Sequence, residues 1–367
     1  MGTAIAYYLA REGITNTVII EAGYLASGAT GRCGGGIRQQ WSTEANTKLA
    51  IESVRLFEGL EDELDADIEF LQGGYLVLAY TDEDVDQFEK NVALERGLGL
   101  DVEILSPEEI TRRVVPELNT EGVRLATYCP SDGSANPFLT TQAYAGAARR
   151  LGVEIELFTP VTRVRTTGGR VTGVETPRGD VSAPIVVNAA GSHSVLLADT
   201  AGVELPITPY RREILVTEPL ERFFHPMIIS FSYGIYFRQT KHGAVIGGFG
   251  DPDEPVGFNQ TSSLDFLVTM SRKLAHLMPA LKSVKIVRQW AGLYDVTPDA
   301  QPILGPVDKL TGFVQANGFS GHGFMIAPMA ALLVAQAVAG REPDLDIERL
   351  NLRRFAGGAV TEDQSVV

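Results

Sequence analysis

The stretch GTAIAYYLAREGITNTVIIEAG, residues 2–23, constrains the fold more than any other part of the chain. An apolar helix runs to Arg11, a short turn follows, and the strand TVIIE closes on an acid. This is the second half of a βαβ nucleotide-binding unit. In such units glycines at the first strand-to-helix turn let the backbone approach a pyrophosphate, which rests on the helix N-terminus. An acid about 20 residues further on binds a ribose hydroxyl. Gly2 corresponds to the last of those glycines, and Glu21 with Ala22 closes the second strand. A first strand and the remaining glycines are not in the sequence, which leaves an ordinary helix–strand pair as an equally simple reading of this stretch alone.

The loop ASGATGRCGGGIRQQ (26–40) follows the acid directly. Small residues and glycines allow backbone amides to lie close to a phosphate or a flat ring. Further on, 44–64 has helical periodicity, and GGYLVLAY (73–80) alternates like a strand. SPEEITRRVVPEL (106–118) starts with a Ser cap and a Pro, and NPFLTTQAYAGAARRLG (136–152) is an amphipathic helix. Residues 153–191 form a strand-rich meander ending in the buried strand IVVNAAG. The segments 210–219, 234–250 and 284–299 predict a second, mainly antiparallel sheet. Residues 311–340 return to a strand, the turn FSGHGF and a helix, and the tail past Phe355 is expected to fray.

The net charge of −15 argues against nucleic acid or an anionic membrane as partner. The apolar run 324–340 contains Pro328 and Gln336 and suits a buried helix better than a membrane span. Cys33 and Cys129 are too few for a disulfide framework and lack metal-site spacing, and no signal peptide precedes the fold, so a cytoplasmic, reducing setting is expected.

Taken with ATGRCGGGIRQQ, IVVNAAG and WAGLYDVTPDAQPILG (290–305), the motif GFSGHGFMIAP (318–328) resembles the flavin-dependent amino-acid oxidase superfamily of D-amino-acid, glycine and sarcosine oxidases. RCGxGIRQQ and GFSGHGFM are forms shared with the β subunits of heteromeric sarcosine oxidase and archaeal L-proline dehydrogenase. The resemblance runs from Gly2 to about Phe355. It implies an α/β, two-domain fold: a Rossmann-like FAD-binding domain (1–70, 136–205, 295–355) interleaved with a mainly antiparallel substrate-binding domain (71–135, 206–294), with 356–367 as a tail. In that family a strand and a GxGxxG loop precede the helix that starts here at Gly2, so their absence implies an upstream start or a shortened chain and puts FAD affinity in doubt.

The resemblance implies FAD held without a covalent bond, since Gly292 stands where monomeric sarcosine oxidases carry a flavin-linked Cys. It leaves room for FMN at a subunit interface. Glu21 would bind the adenosine ribose and Val161 the adenine. Ala29, Thr30, Gly34, Gly36 and Ile37 would line the pyrophosphate and isoalloxazine, and Gly321, His322, Gly323, Phe324 and Met325 the pyrimidine edge. Free amides ahead of the last helix suit the negative charge that reduction leaves on that edge. Arg38 matches the position that clamps substrate carboxylate, a task suited to a guanidinium. Met325 replaces the Lys that monomeric sarcosine oxidases carry, so the clamp differs in part. Tyr236, Trp290 and Tyr294 are candidates for an aromatic wall, with Tyr236 and Tyr294 the catalytic candidates beside Arg38. The implied activity is oxidation of the C–N bond of a secondary or α-amino acid by hydride transfer to flavin N5, in a subunit of a heteromeric dehydrogenase with an α-type partner. A stand-alone oxidase reducing oxygen and a cofactor-free structural subunit are the alternatives.

Overall fold

The structure is a computed structural model, and it describes residues 1–357, 362, 363 and 365. Helix α1 (Gly2–Arg11) buries every side chain from Thr3 to Ala10. It packs against α5 (Pro137–Arg150) and α8 (Ala327–Val338). Helix α8 is apolar on nearly all sides, the composition expected of a helix with no face toward water. Helix α2 (Glu44–Leu64) has one buried stripe, through Ala50, Val54, Phe57, Leu60 and Leu64, against α8. Asn136 caps α5 by accepting from the amides of Phe138 and Leu139, with Pro137 at the first helical position.

Outside the large sheet the parallel strands lie in two groups. Strand β1 (Val18–Ile20) pairs with β7 (Glu154–Glu156), and β11 (Val186–Asn188) pairs with β18 (Phe313–Asn317). Strand β17 (Ile303–Pro306) adds antiparallel to β18. A meander of β8 (Arg163–Thr167), β9 (Arg170–Thr176) and β10 (Gly179–Ser182) follows β7, and α6 (Ser194–Asp199) follows β11.

The second body is an eight-stranded sheet. Its order is β16 (Ile286–Val296), β12 (Thr208–Pro219), β15 (Ala244–Phe249), β14 (Ile235–Gln239), β13 (Met227–Ser230), β3 (Tyr75–Ala79), β5 (Leu125–Cys129) and β4 (Glu103–Leu105). All neighbours are antiparallel except β13 and β3, which run together. Helix α7 (Leu264–Leu277) buries Phe266, Met270 and Leu274 against one face. Helix α3 (Asp82–Gly97) flanks the β3 side, opened by a capping box between Thr81 and Asp84. The helix predicted over 106–118 is much shorter: α4 (Pro107–Glu109) gives way to one wide turn over Ile110–Val114. A short pair, β2 (Gly36–Ile37) with β6 (Gly133–Ser134), ties the IRQQ segment to the chain leaving β5. Among the described residues no helix is long and apolar enough to cross a membrane.

The tail departs from expectation. Asp363 and Ser365 are buried, not frayed. Asp363 accepts from the Ser42, Thr43 and Asn46 side chains at the start of α2, and its amide donates to Asp299 O at 3.0 Å. A buried carboxylate that replaces water with this many donors is held firmly, and no local pattern in VTEDQSVV announces donors more than 300 residues away. The rest of 358–367 lies outside the described residues.

Candidate active site

Loop 22–36 is drawn together from within. Glu21 Oε1 accepts from the Gly23 amide at 2.8 Å and from Ser27 Oγ at 3.3 Å. Arg32 donates to Ser27 O at 3.1 Å and to Ala291 O at 2.7 Å, and Trp290 Nε1 donates to Arg32 O at 3.2 Å. Trp290 therefore pins the loop to β16. Gly292 makes room for the Arg32 side chain: a Cβ there would stand 3.0 Å from Arg32 Cβ. Arg238, buried, donates to Gly34 O at 2.6 Å. The Thr159 amide donates to Glu21 O at 2.9 Å, so the segment leading to half-buried Val161 runs beside the acid and Ala22.

Both helix N-termini meet at one cavity. Met1 with Thr3 and Ala4 of α1, Thr30 of the loop, and Phe324 with Ala327 and Pro328 of α8 share its lining. Gly2 lies against Ala189 at the end of β11, and Ala29 precedes the turn Thr30–Arg32. No hydrogen bond among the described residues uses the amides of Gly323, Phe324, Met325 or Ile326. Two helix N-termini on one small space, with unpartnered amides, favour an anion or a polar ring edge.

The GHG turn is held by Asp295, whose carboxylate accepts from the Gly318 amide at 2.7 Å while its carbonyl accepts from the Ser320 amide. Burial lifts the Asp295 carboxyl to about 6. His322 is buried, its ring lies 4.6 Å from the Trp41 ring at a tilt of 51°, and neither ring nitrogen has a hydrogen-bond partner among the described residues. Burial depresses it to about 4. In the unfolded chain His322 takes up a proton near its ordinary pKa, while the folded site refuses it until much lower pH. Stability should therefore be undiminished by His322 above about 6.5 and fall as pH drops from there toward 4. Replacement by Asn should flatten that part of a Tm-against-pH curve; an unchanged slope between wild type and variant would refute the assignment.

Tyr236 lies against Gly34, where a Cβ would stand 3.0 Å from its ring, and Tyr75 and Met227 lie against Gly36. Any Cβ at Gly36 would overlap Tyr75 Oη, at 1.7 Å. Tyr294 lies directly on Gly321 and takes Arg212 over its ring at 5.4 Å. Burial raises the hydroxyl pKa values of Tyr75, Tyr236 and Tyr294, which keeps all three protonated. The ring faces, the glycine loop and the GHG turn are thus brought together.

Ile37 is fully buried in the core and turns Arg38 to the other side. Arg38 is 4% exposed and its guanidinium lies 4.0 Å over the Trp41 ring. It donates through Nη2 to Ser365 O, its Nε has no partner, and no carboxylate among the described residues lies within ion-pairing distance. Behind it Gln39 and Gln40 are locked by Asp132, which accepts from the Gln39 amide at 2.8 Å and from Gln40 Nε2 at 2.9 Å. The sequence reading missed Trp41, Tyr75, Arg238, Asp132 and Asp295. IRQQW and YDVTPD carried the signal for two of them, since Trp41 closes one motif and Asp295 sits in the other.

The chain matches the family described as FAD dependent oxidoreductase over residues 1–337. It belongs to that family. It is 32% identical over 368 residues to sarcosine oxidase subunit beta of Arthrobacter sp, covering 99% of this chain and 90% of that one. Against the same subunit of Rhodobacter capsulatus the identity is 31%, covering 99% and 88%. Among solved structures, L-proline dehydrogenase from P. horikoshii superposes with a TM-score of 0.91 at 36% identity, covering 98% of this chain and 96% of that one. Glycine oxidase from Geobacillus kaustophilus gives 0.88 at 26%, covering 96% and 95%. The protein is thus an FAD-dependent oxidoreductase. The residues present fit that cofactor: the unpartnered ring nitrogens of His322 and the free amides ahead of α8 suit its phosphates and ring edge, beside the cavity shared with α1.

Proposed function

We propose that this oxidoreductase oxidises the carbon–nitrogen bond of a small secondary or α-amino acid, proline- or sarcosine-like, and works as the β-type subunit of a heteromeric dehydrogenase. Arg38 carries the reading. A buried cation without a counter-ion is costly, and an arriving carboxylate relieves that cost. Nη2 carries two N–H groups and only one is given to Ser365 O, so a two-pronged grip on a carboxylate can form beside that bond. Stacking on Trp41 holds the guanidinium plane still, which lowers the entropy lost on binding. Glu21 and Val161 would hold the adenosine end of FAD, Ala29, Thr30, Gly34 and Gly36 its middle, and the 321–325 turn its pyrimidine edge. The chemistry FAD supplies when bound is two-electron oxidation, with hydride leaving the carbon beside the amine for N5. Tyr236 and Tyr294 would wall the substrate and exclude water. The names and forms of the sarcosine oxidase β subunits and L-proline dehydrogenase support the substrate class and the partnered state. FMN is not part of this reading.

Anaerobic addition of L-proline or sarcosine to the flavin-loaded protein should bleach the visible flavin band. A band that stays while dithionite bleaches it would refute the proposal.

A further inference from the structure

A second cavity is lined by Arg38 itself. Its lining includes Arg38, Gln40, Asn91 and Glu95, with Val77, Phe88 and Phe231 as apolar walls. Glu95 belongs to the buried stripe of α3, together with Phe88 and Val92. An acid in an apolar helical stripe is unusual, because a buried carboxyl needs partners to offset lost hydration. Glu95 is 2% exposed, and its Oε2 has no hydrogen-bond partner among the described residues. It forms no ion pair with Arg38, although both line the same space. One cavity therefore contains a buried guanidinium with an unused Nε and a buried carboxyl with an unused oxygen, separated by more than a direct contact and flanked by hydrocarbon.

This inference rests on the Arg38 reading above. We infer that Glu95 is the second anchor of the substrate pocket: Arg38 takes the carboxylate of a small amino acid, and Glu95 accepts a hydrogen bond from its nitrogen. The two groups are opposite in character, as are the two ends of such a molecule, whose carboxylate and nitrogen share one carbon. Val77, Phe88 and Phe231 would cover the carbon skeleton. A carboxylate alone would satisfy Arg38 and leave Glu95 Oε2 unpaired, so the pocket discriminates by leaving a buried acceptor unmet. The Glu95 carboxyl stands at about 8, raised by burial and then by Asp132, and lowered in part by Arg38 and the Trp41 amide. In either protonation state it keeps an oxygen able to accept from N–H.

Two flat, unreactive carboxylates separate the contacts. Pyrrole-2-carboxylate carries an N–H where furan-2-carboxylate has an ether oxygen, and calorimetry on the flavin-loaded protein measures each without turnover. Wild type should bind the pyrrole acid about tenfold tighter than the furan acid, the worth of one hydrogen bond to a carboxyl. Glu95→Leu should abolish that preference and leave the furan Kd within about twofold, while Glu95→Gln, which keeps shape and an acceptor, should retain part of it. Arg38→Ala should weaken both acids alike. Equal affinities in wild type, or a preference that survives Glu95→Leu, would overturn the inference about Glu95 and leave Arg38 standing. An Arg38→Ala chain that binds both acids normally would overturn the carboxylate clamp itself.

Discussion

Arg38→Ala should raise KM for the amino acid about 100-fold while the flavin stays bound. Two charged hydrogen bonds from a planar fork are lost, each worth about 1.5–3 kcal/mol, and part of that is recovered through water entering the space. The loss should fall on KM more than on kcat, because a carboxylate grip is made before the C–H bond breaks. Stability should not suffer. Arg38 has no ion-pairing partner among the described residues and burial depresses its pKa, so its removal relieves a buried charge. A Tm equal to or above that of wild type, together with the KM rise, is the expected pair of results. Arg38→Lys should fall between, since it keeps the charge and loses the fork. A KM within about threefold of wild type in Arg38→Ala would remove the clamp, whatever the flavin spectrum shows.

Gly321→Ala should damage the cofactor site as a whole. The backbone there has φ of +95°, and a Cβ would lie 2.2 Å from Tyr294 Cε2. The left-handed conformation costs a side chain about 1–2 kcal/mol, and overpacking against a fixed ring adds about 1–3 kcal/mol. Set against a total stability of about 5–15 kcal/mol, this lowers Tm by roughly 3–7 °C in a chain of 367 residues and moves the amides that follow the turn. Flavin content after purification should fall with it. The two causes separate in a double variant. Tyr294→Ala added to Gly321→Ala removes the steric collision and leaves the backbone strain, so it should restore part of the lost Tm and no more. Wild-type Tm and flavin content in Gly321→Ala would show that the turn is not held as described.

Local physics made much of the fold legible. An apolar helix that turns into a strand ending in an acid leaves few alternatives, because helical and strand periodicities are distinct and the turn between them is short. The amphipathic stripe of α2 and the capped start of α5 follow from residues three and four apart. The loop after Glu21 and the GHG turn were likewise visible, since glycine at that density serves close backbone approach. By contrast, 106–118 looked like a full helix from its cap and lost that form to packing after Glu109.

The sequence by itself determined α1, α2, α5 and α8, the strands closing on Glu21 and Asn188, and the glycine-dense loop and turn, while α3 and α7 went unread. Only the tertiary structure decided that β13 runs parallel to β3 across a separation of some 150 residues, that Asp363 returns to cap the start of α2, and that Glu95 faces the cavity of Arg38. The division has one physical reason. Propensity, capping and turn chemistry act over a few residues and are written in local spacing, whereas burial and partnering of charge depend on which distant surfaces meet. A buried Arg without an acid and a buried Glu without a base look like any other charged residues until the fold places them on one cavity.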